Sequence, residues 1–182
     1  MSSRPHTVLP WVVRRTRLPL LALRCVACPS ERATAGDGRF RVNANGKLLD
    51  VWLLVDCVSC GRTSKLTVHD RVHVRSLSRT LLSGYSADSQ AFVARVLLDP
   101  WTARRNRFAL EWDGCWELVA PPPPEEVWPL HVSVVFDDPV PVRPERLIGQ
   151  GLGISRKEIA RRVKIDVPLN RRTAQDFSFV LL

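Results

Sequence analysis

Two C-x-x-C pairs, Cys25/Cys28 and Cys57/Cys60, are the residues best suited to chemistry, with 28 residues (29–56) between them. Each spacing lets two thiolates reach the same side of one tight turn. Two such turns facing each other supply four sulfurs, the closed tetrahedral shell of a structural zinc ion. A catalytic zinc needs an open position for water or substrate, and four thiolates leave none. One structural zinc ion on Cys25, Cys28, Cys57 and Cys60 is therefore expected, with a contribution to folding on the order of 10 kcal/mol. Thioredoxin-like redox chemistry is the competing reading for either pair alone. It requires a C-x-x-C at the start of a helix after a strand, a setting neither pair has.

Other reactive residue types are less organised. His69 and His73 stand four apart, as in a metalloprotease helix, but Asp70 occupies the place of the required Glu and no third ligand is evident. A solvated start to a helix is the plainer expectation there. Cys115, between Trp112 and Trp116, reads as a small buried hydrophobe. Gly149–Gly153 is glycine-rich, yet no strand leads directly into it and no Lys-Ser follows, so it is not read as a phosphate loop. No nucleophile, base and orienting group converge at readable spacing, and a non-catalytic role is expected.

The C-terminal run Arg146–Val163 carries a different signal. Ser155 is a natural N-cap and Glu158 completes a capping box. The following helix bears Arg156, Lys157, Arg161 and Arg162, with Ile159 and Val163 free to face inward. The Leu-Gly-x-Ser-Arg turn at 152–156 with its flanking helices resembles the RNA-binding module of the small-subunit ribosomal protein S-four type. That resemblance implies RNA contacts at Ser155, Arg156, Lys157, Arg161 and Arg162. A charged, solvated helix face is the alternative.

These groups need elements to hold them. An apolar strand at 18–24 leads into the first cysteine pair. Arg39–Asn43 and Lys47–Val55 flank Ala44-Asn45-Gly46, a hairpin signal because Asn-Gly accepts the positive φ of a tight turn, and the second strand delivers the chain to Cys57. Ser64–Val68 supplies another strand. Between 69 and about 107 the apolar period lengthens (Val74, Leu77, Leu81, Leu82; Phe92, Val93, Val96, Leu97), predicting two helices, with Ser86 or Asp88 capping the second and Pro100 stopping it. Pro121–Pro124 favours an extended linker, followed by a strand at Leu130–Phe136 and short strands at 164–167 and 176–182.

The 182 residues carry a net charge of +9, distributed as +5 over 1–32, +4 over 33–80, −4 over 81–143 and +4 over 144–182. Basic ends favour acidic partners. Cysteines in C-x-x-C pairs suit a reducing compartment, and the six-residue apolar run after Arg17 is too short for a secretion signal, so the cytoplasm is expected. No run approaches the roughly 20 apolar residues of a membrane helix.

Taken together, Cys25-x-x-Cys28, the phrase Phe40–Leu54, Cys57-x-x-Cys60 and the Leu152–Arg156 motif resemble a bacterial family known only as a domain of unknown function, DUF1062, over roughly residues 20–182. The resemblance implies a layout and no activity. The expectation is an α+β protein: a basic segment at 1–17, its first dozen residues left without structure, a four-Cys zinc ribbon at 18–68, a helical middle at 69–120, a Pro-rich linker at 121–129 and an α+β lobe at 130–182. Association with RNA or the ribosome is the first functional reading. A zinc-stabilised protein-interaction adaptor, with the Trp-rich 101–128 region as its face, is the second. Neither a membrane nor a small-molecule substrate is expected as a partner.

Overall fold

A computed structural model describes residues 8–123 and 129–182 of the chain. The protein is of mixed α and β content and divides into two compact units. Residues Leu18–Glu111 form the central unit; Met1–Arg17 and Trp112–Leu182 form the terminal unit. Glu125 and Glu126, with much of the expected Pro-rich linker, lie outside the described residues.

The central unit is a five-stranded sheet, order β5-β4-β3-β2-β6, assembled from β2 (Leu20–Ala22), β3 (Arg32–Asn45), β4 (Leu48–Cys57), β5 (Thr63–His73) and β6 (Ala109–Glu111). The Asn-Gly hairpin lies between β3 and β4, with Asn45 opposite Leu48 and Gly46 at φ +60°. Along β4 the side chains alternate strictly, as period two requires: Leu49, Val51, Leu53, Val55 and Cys57 are buried, and their neighbours are half-buried. The buried face packs on α1 (Arg79–Ser86), α2 (Gln90–Leu98) and α3 (Pro100–Asn106), giving a core that includes Leu21, Leu66, Tyr85, Val93 and Leu97. Gly38, at φ +64°, sits where α2 approaches the sheet; any Cβ there would collide with Val93.

The terminal unit has sheet order β7-β1-β8-β10-β9. β1 (Val8–Arg15) runs parallel to β8 (Leu130–Phe136) and antiparallel to β7 (Trp116–Val119), while β10 (Phe177–Leu181) joins β8 to β9 (Val163–Ile165). α4 (Pro144–Leu152) and α5 (Arg156–Arg162) complete it. Trp11 is fully buried, its ring edge-on to Phe179 at 5.3 Å. Gly151 lets α4 pass over that indole, and a Cβ at 151 would strike it.

Several expectations are corrected. Residues 8–15 are a central strand rather than loose chain, because Leu9, Trp11 and Val13 alternate into a core. Pro10 lies beyond the stretch that pairs with β7, Val12–Arg15, and in register with Ser133 of β8. Residues 69–73 continue β5 instead of starting a helix; the alternation is hidden by an irregularity in the pairing with β4, next to which Arg71 takes φ +48°. Three helices replace the expected two, since Pro100, after stopping α2, begins α3 with Asp99 as its N-cap. Ser89 takes the N-cap position of α2, with no side-chain capping bond, in place of Ser86 or Asp88; the Asp88 carboxylate instead accepts from the Phe40 amide at 2.6 Å. Nor is 69–120 one segment: Ala109–Glu111 pairs with β2 in the central unit, while Trp116–Val119 pairs with β1 in the terminal one. The lobe expected at 130–182 is completed by strands from both sides of the central unit in sequence.

Candidate metal centre

Two hairpin ends carry the cysteines. The first pair lies on the turn from β2 to β3, closed by Cys25 N–H donating to the Ser30 carbonyl (2.8 Å) and Leu23 N–H to Glu31 (2.9 Å). The second lies on the turn from β4 to β5, closed by Cys57 N–H to Arg62 (3.0 Å) and Gly61 N–H to Cys57 (3.0 Å), with Gly61 at φ +69°. β3 brings the turns together: Ala33 stands opposite Cys57 on one side and opposite Leu21 on the other. Val58 N–H then reaches the Arg32 carbonyl at 3.2 Å, tying one knuckle to the base of the other.

All four sulfurs lie within 4.8 Å of one another. Cys25 and Cys60 Sγ are 3.7 Å apart and Cys28 and Cys57 Sγ 3.6 Å, far beyond a disulfide bond. Sulfurs about 2.3 Å from one tetrahedral zinc ion would stand about 3.8 Å apart, so these spacings suit a shared cation. Among the described residues this is the one group that gathers three or more candidate ligands.

The backbone prepares the thiolates unevenly. The Ala27 amide, above all, holds Cys25 below its ordinary thiol value. Amides of Cys60 and Ser59 draw Cys57 down to about 6. Cys28 has the Ser30 amide in its favour, yet desolvation and the three neighbouring sulfurs push it up to about 12. Sulfurs this close cannot all carry negative charge unless a cation sits among them. A four-thiolate zinc site retains a formal charge of roughly −2, and Arg24 and Arg62 flank the two pairs in sequence.

The histidines do not make a second centre. His69 Nε2 shares a 3.0 Å hydrogen bond with the Tyr85 hydroxyl, whereas His73 Nδ1 accepts from the Arg75 amide at 3.2 Å and caps a 3₁₀ turn, Val74–Ser76. Cys115 is buried.

At the C-terminus the capping box is present: the Glu158 carboxylate accepts from the Ser155 amide at 2.9 Å and from its hydroxyl at 2.8 Å. The basic side chains of α5 differ in what they do. Arg156 makes a two-pronged pair with Glu145 (3.1 and 2.5 Å), and Arg162 Nε donates to the Leu182 carbonyl at 2.8 Å. Lys157 and Arg161 are exposed.

A family model described as Protein of unknown function (DUF1062) matches residues 42–169, more than two thirds of the chain. The chain belongs to this family. The matched span is narrower than the expected 20–182 and contains the knuckle of Cys57 and Cys60 but not that of Cys25 and Cys28. No curated protein and no solved structure matches the chain. Among the described residues no helix is long and apolar enough to cross a membrane.

Spacing in the sequence located all four sulfurs. It missed Tyr85 as the partner of His69, because the two lie on a strand and a helix with no local motif to join them.

Proposed function

We propose that this member of the DUF1062 family holds one structural zinc ion on Cys25, Cys28, Cys57 and Cys60. The observation that carries the reading is the closeness of four sulfurs from two hairpin ends, with no fifth candidate ligand grouped with them among the described residues. Closed coordination excludes substrate, so the ion's work is to lock the β2–β3 turn to the β4–β5 turn. Elemental analysis of the purified chain is expected to give one zinc per molecule, and Cys57→Ser to lose it. A full chain without stoichiometric zinc that folds normally would end this reading.

RNA or ribosome association is the second reading, favoured by the net charge of +9 and by Lys157 and Arg161, which are exposed on a capped helix. Ser155, Arg156 and Arg162 complete the proposed contact set, but Ser155 is engaged in the cap, and RNA would have to displace Glu145 and the Leu182 carbonyl from the two arginines. Direct phosphate contacts release counterions, so binding to mixed cellular RNA should weaken steeply with salt. Charge removal by Lys157→Ala with Arg161→Ala should reduce the slope of log affinity against log salt by roughly 1–2. Absence of RNA retention at low salt, with a partner that survives nuclease treatment, would favour the zinc-stabilised adaptor instead.

A further inference from the structure

The central unit contains a cavity of about 600 Å³, within the range of about 300–1,000 Å³ that small-molecule sites occupy. Its wall comes from the distal half of β5 and from all three helices. Val72, Leu81, Phe92 and Val96 supply its apolar surface. Four polar features interrupt that surface, and they differ in how much of their bonding capacity the fold already uses.

Asp99 is fully engaged: its carboxylate accepts from the Trp101 and Thr102 amides and from the Thr102 hydroxyl, capping α3. Arg105 is paired with Asp70 at 3.3 Å and lies over the Trp101 ring at 5.2 Å. By contrast, His69 and Tyr85 bond only each other among the described residues, leaving hydroxyl and ring capacity unspent. Arg95 has neither ion pair nor hydrogen bond among those residues, although its charge is felt at Tyr85. Burial first, then the Arg105 charge, lowers the His69 pKa, and burial raises that of Tyr85 against the opposing effect of Arg95. At neutral pH the pair is therefore an uncharged donor and acceptor, and the one uncommitted charge on the wall is a guanidinium. Trp101, 56% exposed, adds an aromatic face.

We infer that this cavity binds a small organic acid with an apolar body. The body packs against Val72, Leu81 and Phe92, the acid group meets Arg95, and a hydroxyl or carbonyl of the ligand bonds the His69–Tyr85 pair. A small-molecule substrate is not expected from residue order, because these residues come from separate elements with no local motif to join them. No bond is made or broken: the site offers recognition without a nucleophile.

Two dyes of opposite character test this on the zinc-loaded full chain. Anilinonaphthalene sulfonate, an aromatic anion whose sulfonate stands for the acid group, is expected to bind saturably at one site with enhanced fluorescence, alongside neutral Nile red. Arg95→Gln should weaken the sulfonate about tenfold, the loss of one charge-assisted contact, and leave Nile red unchanged. Filling the cavity with Val72→Trp should abolish both, with Leu81→Trp as the second filling variant and circular dichroism melting to select the one that folds. Absence of saturable sulfonate binding would overturn the proposal. So would binding that survives a folded filling variant, or equal losses for the two dyes in Arg95→Gln.

Discussion

The two units solve the problem of closing a small sheet in different ways. In the central unit consecutive strands pair through hairpins, so most of the sheet closes over short loops, and four sulfurs clamp the hairpin ends that no turn joins. The terminal unit gathers β1 and β8 into a parallel pair from opposite sides of the whole central unit, a long loop closed by apolar packing around Trp11. Loop-closure entropy rises only slowly with length, so the second arrangement is affordable provided its core packs tightly. Local pairing with a metal clamp tolerates a smaller core; remote pairing demands a precise one. The first unit should therefore be broken by chemistry and the second by sterics.

Removing the clamp is the largest expected effect. If zinc contributes on the order of 10 kcal/mol, chelation or Cys57→Ser should exceed the usual stability of a small domain and unfold the central unit. Hydrogen exchange followed by mass spectrometry is expected to lose protection across 18–111 while β8 and β10 of the terminal unit keep theirs. Equal loss in both units would show that the terminal core depends on the clamp as well, and the contrast would fail.

Sterics should act in the converse sense. Gly151→Ala puts a methyl into the buried Trp11 indole, an overpacking cost of about 1–3 kcal/mol, set against about 1 kcal/mol of gained helix propensity. The net expectation is a loss on the terminal unit's unfolding transition with zinc content unchanged. Trp11→Leu removes the ring atoms that the methyl would meet, so in that background Gly151→Ala should cost nothing or stabilise, and a double-mutant cycle reads the coupling. A destabilisation that persists without the indole would place the strain elsewhere.

The same contrast explains what could be read from residue order. Cys25, Cys28, Cys57 and Cys60, the Asn45-Gly46 turn and the alternation along β4 are local patterns, each set by a few neighbouring residues, and all three are features of the central unit. The Ser155–Glu158 capping box is equally local, and it is the clearest such signal in the terminal unit. What escaped was remote or masked. The strand at Val8–Arg15 has the right alternation, but it sits in a segment, 1–17, with four arginines and no acidic residue that reads as tail, and its partner β8 lies more than a hundred residues away. His69 to His73 lost its period-two signature at the positive-φ Arg71, and a bulged strand then resembles the start of a helix. Gly38 and Gly151 look like loop and helix-end residues until the side chains that press against them are known.

A finer probe of the central unit is the protonation of His69, the smallest effect expected here. Its folded pKa lies below the ordinary 6.5, first because burial disfavours the imidazolium and second because of the Arg105 charge. A group lowered in this way binds fewer protons folded than unfolded between the two values, so its contribution to stability is complete above about 6.5 and is lost as pH falls from there toward the folded pKa. NMR titration of the His69 imidazole should give a midpoint below 6.5, and Arg105→Gln should move it upward while leaving it below 6.5, since burial remains. Tyr85→Phe removes the hydroxyl but keeps the ring, and should leave the direction unchanged. A midpoint at or above 6.5 in the wild-type chain would mean that the ring is open to water. The helices would then not close over β5 as described, and the central unit would owe still more of its stability to the four sulfurs.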